Sequence, residues 1–171
     1  MNLKLYFGKY RKKLLIRLKN LHGSPYSIAA GFACGVSISF TPFIGFHLVL
    51  AAVTAWILRG NIIASAIGTL IGNPWTFPFI WVAVLSTGRF FLGFDNLSTN
   101  VDFLKTFDSA MRSLFTFNFS SFGRDVWPIF CPMLVGCIPY YIIAWFLSYV
   151  PIKQMLETLE KRRQKKQGRQ K

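Results

Sequence analysis

Residues able to recognise an anion gather at two breaks in otherwise apolar sequence. Ser39-Phe40-Thr41-Pro42 interrupts one run, and Gly72-Asn73-Pro74-Trp75-Thr76 interrupts the next. A Thr-Pro or Asn-Pro pair starts a helix well, because the side-chain oxygen accepts an orphan N–H and proline has no N–H to leave unpaired. A helix beginning at either break would aim free N–H groups and the positive end of its dipole at that break. Thr41, Asn73 and Thr76 add hydroxyl and amide groups, with Pro42, Gly45 and Pro74 beside them. His47 follows Pro42 by five residues, Asn61 follows Arg59-Gly60, and Arg59 and Arg89 stand at the ends of apolar runs. Together these residues are expected to suit a phosphate or carboxylate that carries an apolar tail, an isoprenoid phosphate or a phospholipid being the natural candidate.

Plainer roles stand beside that expectation. The breaks can cap helices in a rigid bundle, His47 can be an interior hydrogen-bonder, and Asn61 can cap the helix that follows it. Arg59 and Arg89 can be anchors that snorkel to a polar boundary. Trp75, Phe77, Phe79 and Trp81 read as packing and lipid contact.

Other chemistries find less support. No Asp or Glu lies in the apolar runs, which disfavours a proton- or cation-coupled pump. Hydrolysis needs a nucleophile with a base in reach, and His47 has no carboxylate partner in these runs. With two histidines in the chain, a His-rich metal site is not expected, and Cys34, Cys131 and Cys137 lack ligand spacing and read as small buried hydrophobes. The expectation is a non-enzyme without cofactor or metal.

The elements that must position these residues are long apolar segments. Gly23 to Leu58 holds no Lys, Arg, Asp or Glu, Gly60 to Gly88 has no charged residue, and Val126 to Ile152 is a third such run. About 20 helical residues cross the ~30 Å core of a bilayer, and a chain with breaks at that depth must hide the freed backbone groups in protein or a wet cavity. The fold expected is an all-α integral membrane protein, with broken or re-entrant helices, a kinked transmembrane helix and amphipathic surface helices. Helices are expected from Pro25 to about Ser39, Pro42 to Leu58, Ile62 to Ile71 and Pro74 to Phe91. Gly31/Gly35 and Gly68/Gly72 give each first half a Gly-x-x-x-Gly face for close helix packing. These two breaks lie in corresponding positions of a degenerate repeat, a pointer to a transporter-type site.

The membrane domain (23–152) comprises a core at 24–93 and two further pieces at 98–117 and 126–150, with basic segments at 1–22 and 153–171 flanking it. Residues 1–22 read as a basic amphipathic helix, 98–117 as an interfacial helix, and 126–150 as a transmembrane helix containing Pro128, Pro132 and Pro139. Residues 153–171 read as a basic, partly disordered tail. The net charge of +14 is uneven: seven Lys or Arg lie in the first 22 residues and eight from Lys153 onward, while Asp95, Asp102, Asp108 and Asp125 fall between the second and third runs. That pattern places both termini in the cytoplasm, with residues 24–58 as a hairpin returning at Arg59, both broken runs as hairpins being the competing topology. Membrane flanks explain the charge, so the lipid bilayer and its anionic lipids are the expected partners, and nucleic acid is not.

One set of motifs carries a resemblance. Ser24-Pro25, Ala30-Gly31-Phe32-Ala33-Cys34-Gly35, Pro42-Phe43-Ile44-Gly45, Leu58-Arg59-Gly60-Asn61 and Gly72-Asn73-Pro74-Trp75-Thr76 occur in order through Gly93. This stretch resembles a bacterial integral membrane family catalogued as domain of unknown function (DUF) 2062. The resemblance implies a small multi-pass protein of the bacterial inner membrane, with some members fused to glycosyltransferase-type domains and so working near lipid-linked sugars. Two functions follow as expectations. One is binding or translocation of an anionic lipid or a polyprenyl-phosphate-type intermediate in envelope biogenesis. The other is a non-catalytic scaffold, a homo-oligomer or the assembly partner of an envelope-biosynthesis enzyme, held through the glycine faces.

Overall fold

The computed structural model describes residues 17–18, 21–43, 45–72, 75–93 and 127–167. Most of the expected surface helix at 1–22, and all of the one at 98–117, lie outside them. The described residues are helical, without a strand: α1 (Pro25–Ile38), α2 (His47–Ile57), α3 (Ile62–Gly68, continued by a 3-10 turn Thr69–Ile71), α4 (Phe77–Leu92) and α5 (Trp127–Gln167). They divide into two compact units.

The first unit holds residues up to Ser39, Gly45–Gly72, and the chain from Ile143 onward. Its α1 begins as the sequence predicts: Ser24 Oγ accepts the Ser27 N–H at 3.2 Å, and Pro25 occupies the first turn. Every residue from Ile28 to Ile38 is buried, which the small residues Ala29, Ala30, Gly31, Ala33, Cys34 and Gly35 permit. α2 and α3 both pack on α1. A Cβ at Gly31 would collide with the Asn61 carbonyl, one at Gly35 with the Ser65 carbonyl, and one at Gly68 with the Phe32 carbonyl. The contacts advance together along both helices, so α1 and α3 run parallel, with α2 returning between them in sequence.

Buried hydroxyls in this unit satisfy themselves. Ser37 donates to the Ala33 carbonyl at 2.8 Å, Ser39 to Gly35 at 3.2 Å, Ser65 to Ile62 at 2.8 Å and Thr69 to Ala66 at 2.8 Å. Such bonds to the preceding turn let a polar side chain sit in an apolar helix without an outside partner.

The second unit holds Phe40–Ile44 and Asn73–Ile142. Trp81 and Val84 of α4 form its core with Ile129, Met133 and Cys137 of α5. The two helices cross where glycine removes the side chain: a Cβ at Gly88 would strike the Pro132 carbonyl, and one at Gly136 the Val84 carbonyl. Thr87 Oγ1 and the Tyr140 hydroxyl share a hydrogen bond at 3.0 Å, and Phe40 stacks on the Tyr140 ring.

Three expectations need correction. The helix expected from Pro42 starts at His47, because Gly45 has φ +83°, outside any right-handed helix, and Phe43 packs edge-on against Phe130. The helix expected from Pro74 starts at Phe77. Pro78 sits in the first turn of that helix, where its missing N–H costs no helical bond. Finally, α5 does not stop at residue 150 but continues as helix to Gln167, uninterrupted at Pro132, Pro139 and Pro151. In the first unit its extension packs: Leu156 is buried, and with Leu159 it lines a small cleft of about 120 Å³ shared with Leu21, Pro25 and Ile28. Within α5, Ile129–Arg162 is long and apolar enough to cross a membrane, and α1 to α4 are shorter apolar helices.

Candidate functional site

The turn joining α2 to α3 is the most fully built feature among the expected site residues. Two bonds close α2: Gly60 N–H to the Ala55 carbonyl, 2.6 Å, and Arg59 N–H to the Trp56 carbonyl, 3.0 Å. This is the Schellman pattern, in which the residue just past the cap turns left-handed. Arg59 occupies that position with φ +53°, the only non-glycine with positive φ among the described residues. The conformation costs a residue bearing a Cβ about 1 kcal/mol. Gly60 cannot be the larger residue either, since a Cβ there would press on the Gly31 backbone.

Asn61 then locks the turn to α1. Its Oδ1 caps α3 by accepting the Ala64 N–H at 2.9 Å, and its Nδ2 donates to the His22 carbonyl at 3.0 Å. Its backbone N–H donates to the Ser27 carbonyl at 2.7 Å, and its carbonyl accepts from Ser65 N–H at 3.0 Å. Asn61 is thus committed to structure, as the helix cap that the sequence allowed and as a long-range tie that it did not announce.

The remaining expected residues are divided between the two units. Gly45, His47, Arg59 and Asn61 belong to the first unit, whereas Thr41, Pro42, Thr76 and Arg89 belong to the second; Asn73 and Pro74 lie outside the described residues. Within each unit the break and the arginine are separated by a helix. His47 opens α2 and Arg59 follows its end, twelve residues or about 18 Å away at 1.5 Å per residue. Thr76 precedes α4 and Arg89 lies in its last turn, about 20 Å apart by the same rise. A single small anion cannot touch both members of either pair. Thr41 and Pro42 are buried, and Thr76 makes no side-chain capping bond. The glycine faces are also occupied: Gly31 and Gly35 meet the backbone of residues 61–69, Gly68 meets α1, and Gly72 ends the 3-10 turn. They join helices of this chain rather than offering a face to a partner.

What the structure does assemble lies at the Arg59 end. The Tyr26 hydroxyl donates to the Leu58 carbonyl at 3.2 Å, tying the first turn of α1 to the last of α2. The Tyr26 ring meets Tyr149 of α5 edge-on with centroids 6.1 Å apart, and Trp145 stacks on Tyr149 at 4.7 Å. Lys153 Nζ lies 5.6 Å from the Tyr149 ring centre, within cation–π range, and 3.9 Å from the Glu157 carboxylate. Arg59, exposed, directly follows the Leu58 whose carbonyl Tyr26 holds. Tyr26, Tyr149 and Lys153 were not singled out as site residues from sequence. Their signal was weak: aromatic and basic residues at the ends of apolar runs, a pattern that marks a polar boundary without saying which ends meet.

Among the described residues no three His, Cys, Asp or Glu side chains gather as metal ligands. No curated protein and no solved structure matches the chain. A family model described as an uncharacterized protein conserved in bacteria (DUF2062) matches residues 9–165. The match extends well past Asp95, beyond the stretch whose motifs suggested it, and the chain belongs to this DUF2062 family.

Proposed function

We propose that the chain is a multi-pass protein of the bacterial inner membrane, with both termini cytoplasmic, that binds or translocates an anionic lipid. Phospholipids and polyprenyl-phosphate-type intermediates of envelope biogenesis are the ligand class. The observation that carries this reading is the outward apolar surface of helices without charge. Trp56 is 72% exposed, Phe79 80% and Leu147 71%, and only 22% of the most apolar stretch of α5 is buried. Water would penalise such surface at about 25 cal/mol per Å², whereas lipid chains would not.

The first unit adds support for the hairpin. The Tyr26–Leu58 and Asn61–His22 bonds put the start of α1 and the end of α2 at one level. Tyr149 and Leu156 bring the end of the apolar part of α5 to that same level. Arg59 and Lys153 thus share one side, the arrangement that the positive-inside rule assigns to the cytoplasm. α1 and α2, about 21 and 16 Å long, are each shorter than the ~30 Å bilayer core, as re-entrant half-helices must be. The role is non-catalytic: the buried hydroxyls of Ser37, Ser39, Ser65 and Thr69 are each spent on a carbonyl of the preceding turn. Reconstitution into vesicles with a fluorescent anionic phospholipid tests the function. Protein-dependent exchange of the label between leaflets is expected, and neither exchange nor lipid retention in native mass spectrometry would sink the reading.

A further inference from the structure

The end of α2 carries a side chain where the backbone favours none. The last turn of α4 is followed by Gly93, φ +69°, which adopts the left-handed conformation at no steric cost. The end of α2 makes the same demand and meets it with Arg59, φ +53°. The turn thus presents a guanidinium at a position that glycine would fill with less strain. That group is exposed, and no ion pair engages it among the described residues.

Its surroundings suit a phosphate. The Tyr26 hydroxyl spends its proton on the Leu58 carbonyl, which fixes the turn holding Arg59. The Tyr26 ring leans on Tyr149, and Lys153 sits over that second ring, so the two tyrosines link the turn that carries Arg59 to Lys153. Glu157 competes for Lys153 only loosely, at 3.9 Å between exposed groups. Guanidinium offers a planar fork matched to phosphate oxygens, and the ammonium adds a mobile point charge. Immediately before Arg59, α2 turns Trp56 and Ile57 outward, 72% and 65% exposed, as a bed for an apolar chain.

We propose that Arg59, with Lys153 beside the Tyr26–Tyr149 pair, is a phosphate-binding site for a lipid headgroup whose chain lies along the outward face of α2. The proposal rests on the lipid reading above and assigns where on the molecule the headgroup is held. The test uses the full-length protein in detergent micelles, with phosphatidylglycerol and inorganic phosphate as probes, read by native mass spectrometry and thermal melts. Arg59→Gly relieves the left-handed strain, so it is expected to melt no lower than wild type while losing at least about tenfold in phosphatidylglycerol affinity. Lys153→Gln, an exposed change outside the turn, is expected to lose several-fold. Inorganic phosphate displacing the lipid at millimolar concentration would assign the site to a free anion, and lipid held against it would assign the headgroup together with its chain. Wild-type affinity in both variants, or an Arg59→Gly that loses binding only because it unfolds while Lys153→Gln binds normally, overturns the site alone. A wild type that binds neither probe overturns the site and the functional proposal together.

Discussion

At the scale of single residues, the joint between α2 and α3 concentrates the structural demands on Asn61. Its cap on α3 and its bond to the His22 carbonyl both come from one amide. Asn61→Ala removes both and is expected to cost about 1–2 kcal/mol for the cap, and more for the lost tie between segments 39 residues apart. Asn61→Asp separates the two: the capping oxygen stays, the donor to His22 goes, and the fall in melting temperature in detergent should lie between wild type and alanine. A melting temperature unchanged in Asn61→Ala would mean that neither bond carries stability. Half of this role was legible in the sequence, because Asn before an apolar helical stretch is a local capping signal. The other half was not, since no local pattern states which carbonyl, in a different segment, the amide nitrogen will find. The same limit hid the tyrosine pair: Tyr26 and Tyr149 each mark a boundary, and only the packing of α1 on α5 makes them neighbours.

At the scale of elements, composition and small-residue spacing were informative, and proline was informative only with its context. α1 starts at Ser24-Pro25 as read, because nothing competes with the cap. The other two Pro-based starts fail for separate reasons: Gly45 takes a left-handed turn in one, and Pro78 occupies the first turn of the other. In α5 three prolines leave the helix uninterrupted, as packing against Val84 and Gly88 holds the chain through the first of them. Glycine spacing proved a sounder guide, for Gly31, Gly35 and Gly68 fall on the α1–α3 contact. Gly35→Ala places a methyl group against the Ser65 carbonyl and the Thr69 nitrogen, atoms that move only if the helices part. Overpacking of this kind typically costs about 1–3 kcal/mol, so the melting temperature should drop clearly. Alanine at Gly45, which has open space around it, probes backbone strain alone and should cost less. Equal losses at the two positions would show that α1 and α3 do not meet at Gly35.

At the scale of the whole molecule, the distribution of apolar surface bears on the environment. A protein in water buries its large aromatic residues, yet here Trp75 is 85% exposed, Phe90 69% and Phe46 62%. Two occupants could cover such side chains, lipid chains or another protein. Each unit has its own packed interior, glycine-lined in both cases, so the outward aromatics are not needed to hold the helices together. Trp75 and Phe46 lie in runs free of charge, and most of the excess of +14 is kept to the flanks, as expected where the solvent itself is apolar. Three tryptophans turn this into a measurement. Variants retaining Trp56, Trp75 or Trp81 alone, with phenylalanine at the other tryptophans, can be placed in vesicles of brominated phospholipid, whose bromine quenches an indole that touches the acyl chains. Trp56 and Trp75 should be strongly quenched, and Trp81, 7% exposed in the core of its unit, only weakly. If Trp56 and Trp75 fluoresce as brightly as in unbrominated vesicles, protein rather than lipid covers those faces. The functional reading would then move from a lipid carrier to a subunit of a larger assembly.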